Sequence, residues 1–134
     1  MKIAIATDAW LPQVNGVVRT LQMTVAQLEQ RGHVVEIVTP DRFLTMPMPG
    51  YHEIKLAVAP RGGVRKALGR FAADVVHVVT EGPIGWAARR WCIDKGVAFT
   101  SAFHTRFPDY AAMRTGVSAE WFWPVMRRFH RPST

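Results

Sequence analysis

Residues 2–20, KIAIATDAWLPQVNGVVRT, set the expected fold of this chain. Lys2–Ala6 is a short apolar run typical of a buried strand, and residues 17–31 repeat their apolar side chains at helical spacing. The loop between them ends in Asn15-Gly16. Backbone N–H groups at a helix start lack intrahelical partners, so this arrangement favours a site for a phosphate or a sugar. Asn-Gly is also a common turn, and the loop alone leaves both interpretations open.

The rest of the chain continues this alternation of strands and helices. Further apolar strands are predicted at 34–39, 53–58, 74–79 and 97–102, and helices around 64–71, 84–92 and 122–129. Residues 40–51 contain three prolines and a glycine and are predicted to be a loop. Apolar strands that alternate with helices indicate an α/β fold with a doubly wound, mostly parallel, Rossmann-like sheet covered on both faces.

Length and composition limit the class of protein. The chain has 134 residues, of which 49% are hydrophobic and 20% charged, as expected for one globular domain. It has no apolar run of the length that a membrane span needs. It starts directly with a strand, so we expect no secretory signal. Cys92 is the lone cysteine, predicted to be a core residue, and it fits a cytoplasmic protein.

The net charge of +7 is concentrated in the second half of the chain. Residues 61–134 hold twelve basic and five acidic side chains, whereas residues 1–60 sum to zero. Arg65, Lys66 and Arg70 share one side of a predicted helix, which fits either contact with an anionic membrane or a plain solvated face. A second basic cluster follows Trp123, in a helix whose apolar residues are predicted core: Phe122, Val125, Met126 and Phe129.

Polar residues follow three of the predicted strands. The loops in question are 8–16, 80–83 and 103–110. The carboxyl ends of parallel strands meet at one edge of a sheet, so these loops are expected to form one crevice. Glu81 can accept a sugar hydroxyl there or simply favour a helix start, and His104 can donate to a sugar or move a proton. The other histidines show no metal-ligand spacing, and no metal site is predicted.

Three segments together resemble a known family. TDAWLPQVNGVVRTL at 7–21, VHVVTEGPIGWAAR at 76–89 and SAFHTRFPDY at 101–110 are similar to the N-terminal domain of retaining glycosyltransferases of family 4 with the GT-B fold. The branch it resembles includes GDP-mannose-dependent α-mannosyltransferases and sulfoquinovosyl-diacylglycerol synthases. The resemblance covers nearly the whole chain and implies the N-terminal half of a GT-B fold.

The resemblance also implies roles for individual residues. Asn15 and Gly16 would lie near the diphosphate of the donor, and His104 would contact the donor sugar near the reaction centre. The acceptor side would be formed by Asp8, Trp10, Gln13, Glu81, Gly82, Thr105, Arg106 and Tyr110.

The implied reaction moves a hexose, with mannose expected, to a lipid or glycan acceptor and retains the anomeric configuration of the sugar. The donor would be a nucleotide sugar, GDP-mannose or a UDP-sugar, with no metal and no other cofactor. The C-terminal nucleotide-sugar domain of the family is absent from residues 1–134. We therefore expect a truncated acceptor-side domain that is inactive alone, because the groups that neutralise the leaving diphosphate are missing. Its expected location is the cytoplasm, at the inner face of the membrane.

A different class of function remains open at this point. The basic second half also suits a non-enzymatic α/β module that binds nucleic acid or phosphate, and this alternative predicts salt-sensitive binding to DNA or RNA. The basic residues fall in two separate segments and form no nucleic-acid motif, so we expect no nucleic-acid partner.

Overall fold

The fold is taken from a computed structural model, which describes residues 1–11, 16–48, 51–102, 120 and 123–133, without the side chains of 51–54. Within these ranges the chain forms strands and helices in the following order: β1 (Lys2–Ala6), α1 (Gly16–Gln30), β2 (Val34–Val38), a short 3-10 helix (Pro40–Arg42), β3 (Thr45–Met48), β4 (Tyr51–Ala57), α2 (Arg61–Phe71), β5 (Val75–Val78), α3 (Pro83–Lys95), β6 (Phe99–Ser101) and α4 (Trp123–His130).

Four parallel strands form the main sheet, in the order β2-β1-β5-β6. Alternate residues of β1 point to opposite faces. Ile3 and Ile5 pack with Leu21 of α1 on one face. Ala4 and Ala6 belong to the larger core on the other face, which α2 and α3 cover. The sheet is therefore covered on both faces, and the predicted Rossmann-like α/β fold is confirmed.

One part of the prediction was wrong. Residues 40–51 were expected to be a loop, but they contain the 3-10 helix and β3, which pairs antiparallel with β4. The third predicted strand therefore exists, yet it belongs to a separate two-stranded sheet and not to the parallel one. A proline lacks the N–H that a central strand must donate, but a short edge ribbon tolerates it, here beside the register shift at Pro47/Met48.

The predicted helices are present where the described residues cover them. Pro83 opens α3, and Gly96 ends it in the left-handed conformation at φ 65°. In α4, Met126 and Phe129 are buried as predicted, whereas Val125 is 47% exposed and is not a core residue. Phe122 lies outside the described residues. Cys92 is buried, so the prediction of a core residue is confirmed, and burial raises the pKa of its thiol to about 12.

Candidate functional site

Asp8 links the end of β1 to the start of α3. Its Oδ1 accepts a hydrogen bond from the Ile84 N–H at 2.8 Å, and its Oδ2 accepts one from the Gly85 N–H at 3.2 Å. The Thr80 hydroxyl also donates to Oδ2 at 2.7 Å and accepts from the Asp8 N–H at the same distance. The carboxylate thus satisfies N–H groups that a helix start leaves unpaired, although it lies 76 residues away from Ile84 in the chain.

The Asp8 side chain is almost completely enclosed. The residue is 6% exposed, and this burial raises the pKa of its carboxyl, while the bonds from Thr80, Ile84 and Gly85 act in the opposite direction. The bonds within the described residues use both carboxylate oxygens. The acceptor contact expected of Asp8 stays a prediction, and the described geometry gives the residue a role inside the protein.

Two glycines make room for this carboxylate. A Cβ built on Gly82 would overlap the carboxylate group of Asp8, and one built on Gly85 would overlap the carbonyl oxygen of Thr80. Neither glycine has a positive φ, so the requirement is space and not backbone freedom. The sequence pattern Gly-Pro-Ile-Gly therefore reflects close packing of the β5–α3 turn on Asp8.

Glu81 lies in the same turn and contacts α4. Its Oε1 is 2.8 Å from Nε2 of His130, and the two side chains are 10% and 24% exposed. The other ring nitrogen, Nδ1, lies 2.7 Å from the Ser101 hydroxyl at the end of β6. The sequence shows His130 only as a histidine without metal-ligand spacing and does not predict this role. The available signal was a histidine directly after Phe129 in the buried stripe of α4.

Arg89 of α3 fixes the end of α4. Its Nε donates to the carbonyl of Phe129 and its Nη2 to that of Arg128, both at 2.9 Å. The Phe129 ring meets Trp86 edge to face, with ring centroids 4.8 Å apart. The last carbonyls of a helix lack intrahelical donors, so a guanidinium is a favourable partner for them. The position of His130 therefore depends on α3 as well as on its own helix.

The structure gathers part of the predicted site. Asp8, Glu81 and Gly82 surround the start of α3. Trp10 is half-buried against the cluster that contains Leu21, and Gly16 is the first residue of α1. The remaining predicted site residues lie outside the described ranges, and their roles stay predictions: Gln13, Asn15, His104, Thr105, Arg106 and Tyr110.

The basic helix α2 has a buried apolar side and an exposed basic side. Val64 and Leu68 are fully buried in the core, so the apolar side is not available to a bilayer. Arg65, Lys66 and Arg70 are exposed. These cations border two grooves, one of about 260 Å³ against α3 and one of about 460 Å³ against the segment around Arg42. Any membrane contact of α2 must therefore be electrostatic.

Among the described residues, no cluster of three or more histidine, cysteine, aspartate or glutamate side chains is placed to bind a metal ion. Within the same ranges, no helix combines the length and the apolar character that crossing a bilayer requires.

A parallel α/β sheet with polar side chains gathered beyond the carboxyl ends of its strands is the architecture of a Rossmann-like ligand-binding domain. Comparison of the sequence with family models identifies which kind. The chain belongs to Glycosyltransferase Family 4, whose model matches residues 14–134.

Relatives of known name agree with this family. A GDP-mannose-dependent alpha-mannosyltransferase of Mycolicibacterium smegmatis is 26% identical over 149 residues, covering 97% of this chain and 40% of the relative. The protein of the same name from Mycobacterium tuberculosis is 25% identical, with 98% and 39% covered. An alpha-monoglucosyldiacylglycerol synthase of Streptococcus pneumoniae is 27% identical, with 82% and 28% covered. The chain thus spans at most about two fifths of these relatives. No solved structure matches it.

Proposed function

We propose that residues 1–134 are the acceptor-side part of a retaining hexosyltransferase. The complete hexosyltransferase moves a hexose, with mannose favoured, from a nucleotide sugar to a lipid or glycan acceptor. The observation that carries the proposal is the gathering of Asp8, Glu81 and Gly82 at the carboxyl edge of the sheet in a chain of this family. The names of the relatives support a mannosyl donor and a diacylglycerol-type lipid.

Each part of the crevice has a proposed task. Glu81 accepts a hydrogen bond from an acceptor hydroxyl, and Asp8 acts by fixing the turn that carries Glu81. At the other end, α1 begins at Gly16 with no acidic residue in its first turn, so the positive end of its helix dipole suits the donor diphosphate. Asn15 is proposed to assist there, and His104 to contact the donor sugar.

The outer residues complete the proposed acceptor side. Trp10 has an aromatic face suited to the apolar side of a sugar ring. The other proposed contacts are Gln13, Thr105, Arg106 and Tyr110. The donor is proposed to be GDP-mannose or a UDP-sugar, bound mainly by a C-terminal nucleotide-sugar domain that residues 1–134 do not contain.

Ligand binding by the 134-residue chain tests the proposal. We expect methyl α-D-mannopyranoside to shift the backbone amide resonances of Gly82, which follows Glu81, and of Ala102, which follows β6 and donates to the Val78 carbonyl of β5. We expect no mannosyl transfer from GDP-mannose, because the stabilisers of the leaving diphosphate are missing. Measurable transfer would contradict the assignment as an acceptor-side part. Salt-sensitive DNA binding without any hexoside binding would instead support the nucleic-acid module.

A membrane contact through α2 is a second part of the proposal. Arg65, Lys66 and Arg70 are exposed, and Phe43 packs against Gly63 of the same helix. Leu44, the next residue after Phe43, is 79% exposed. Exposed cations on one helix suit the inner face of an anionic membrane.

Charge removal on α2 tests the membrane contact. Each basic residue near an anionic surface contributes about 1 kcal/mol, so Arg65→Gln with Arg70→Gln is expected to weaken vesicle binding roughly thirtyfold. Co-sedimentation with vesicles containing phosphatidylglycerol measures this. The matched control is Arg19→Gln with Arg31→Gln, which removes the same charge from α1 and from the residue that follows it, on the other face of the sheet. Equal losses in both double variants would mean that only net charge matters.

A further inference from the structure

A network of polar contacts joins three elements at the carboxyl edge of the sheet. It runs from Glu81, after β5, through the His130 ring in α4 to Ser101 in β6, with contacts of 2.8 and 2.7 Å. The Ser101 hydroxyl lies 2.9 Å from that of Ser133, which donates to the carbonyl of His130 at 2.7 Å. The network therefore contacts His130 twice, at its ring and at its backbone carbonyl.

The protons of this network can be assigned from its contacts. Ser133 uses its hydroxyl proton on the His130 carbonyl, and Ser101 uses its own on Ser133. A carboxylate only accepts, so the Nε2–H of His130 donates to Oε1 of Glu81, and this contact is a hydrogen bond to a charged acceptor. Nδ1 lies against the Ser101 hydroxyl on the opposite side of the ring.

Both ends of the Glu81–His130 contact are fixed by the fold. His130 follows Phe129, which is 0% exposed and whose carbonyl binds Arg89. Glu81 lies between Thr80 and Gly82, in the turn that packs around Asp8. Neither residue can move far without breaking other buried contacts. Within the described residues the bonds of Glu81 use Oε1, and a carboxylate has a second oxygen, Oε2.

We propose that His130 is a positioning residue for Glu81. By holding Oε1 it fixes the carboxylate, so that Oε2 is the atom that accepts a hydrogen bond from an acceptor hydroxyl. The inference rests on the proposed function of Glu81 and adds a residue of α4 to the acceptor side. Ser101 has the corresponding role for His130, since it binds the opposite ring nitrogen. The ligand class is a polyhydroxy compound such as a hexoside.

Two substitutions of His130 separate its two nitrogens. His130→Gln places an amide nitrogen near the position of Nε2 and can still donate to Glu81. His130→Asn places one near the position of Nδ1 and can donate only toward Ser101. The two variants lose the imidazole alike and differ in the contact they keep. A merely structural histidine would give similar results for both.

The measurement is titration of the 134-residue chain with methyl α-D-mannopyranoside, followed by amide NMR shifts. We expect His130→Gln to bind within about twofold of wild type, and His130→Asn and Glu81→Gln about tenfold more weakly, the size expected for a lost charged hydrogen bond. Equal binding by the Gln and Asn variants would overturn the inference.

A second measurement does not depend on ligand binding. The Glu81 carboxyl carbon reports its hydrogen-bond donors through its ¹³C shift, which should stay near the wild-type value in His130→Gln and move in His130→Asn. An unchanged shift in His130→Asn would overturn the inference whether or not hexosides bind. If the shift moves as expected but the wild-type chain binds no hexoside, the hold of His130 on Glu81 stands and the acceptor role of Glu81 fails.

Discussion

Replacement of Gly85 by alanine is expected to lower the free energy of unfolding by about 3 kcal/mol. The added Cβ would overlap the carbonyl oxygen of Thr80, a backbone atom that cannot rotate away. Relief requires α3 to move from the β5 end, which stretches the bond from the Gly85 N–H to Asp8. Urea unfolding followed by circular dichroism measures the loss.

Gly69→Ala is the matched control for this prediction. Gly69 lies in α2, and a Cβ there would meet no atom within 4 Å. Alanine is favoured over glycine in a helix by about 1 kcal/mol, so this variant should be slightly more stable than wild type. Opposite signs for two identical substitutions would locate the effect in the packing of Gly85. A stable Gly85→Ala variant would show that the β5–α3 turn adapts and that Asp8 does not require this close approach.

Much of the fold follows from local patterns in the sequence. The strands of the parallel sheet are mostly apolar, with few polar residues among them, and α3 covers the segment 84–92 that the sequence predicts to be helical. The β3–β4 ribbon was missed because Pro47 and its neighbours are typical of loops, and pairing between two short segments leaves no periodic signal. Val125 was misassigned because its spacing fits the buried stripe of α4, whereas burial depends on which neighbours cover that position.

The location of the candidate site residues was predictable from the sequence, but their hydrogen-bond partners were not. The rule that ligands bind beyond the carboxyl ends of parallel strands selected Asp8, Glu81 and Gly82 correctly as neighbours of one edge. The partners of these residues are distant in sequence: Asp8 binds N–H groups 76 and 77 positions away, and Glu81 binds a histidine 49 positions away. No spacing rule within one chain reports such pairs, so the roles of Asp8 as a helix cap and of His130 emerged only from the structure.

Asp8→Ala is the second substitution with a large expected effect, a loss of about 2–4 kcal/mol in the free energy of unfolding. It leaves the N–H groups of Ile84 and Gly85 and the hydroxyl of Thr80 without their carboxylate acceptor, in a region where Asp8 itself is 6% exposed. Asp74→Ala is a suitable control, because that carboxylate binds the N–H of Lys2 at the exposed end of the sheet. We expect less than about half the loss there. Similar losses in both variants would show that the buried Asp8 contributes no more to stability than the exposed Asp74.

The charge of Asp8 gives this prediction a pH dependence. Burial raises the pKa of the folded-state carboxyl, so the native chain binds this proton more tightly than the unfolded chain, where the pKa is about 3.9. The contribution of Asp8 to the free energy of unfolding is therefore largest below the unfolded-state pKa. It is lost as pH rises through the folded-state pKa. Asp8→Asn has no such proton. The stability of wild type relative to Asp8→Asn should be greatest in acid and decline as pH rises, as urea unfolding from about pH 4 to about pH 8 would measure. A difference that grows with pH would mean that the three donors outweigh burial and hold Asp8 ionised.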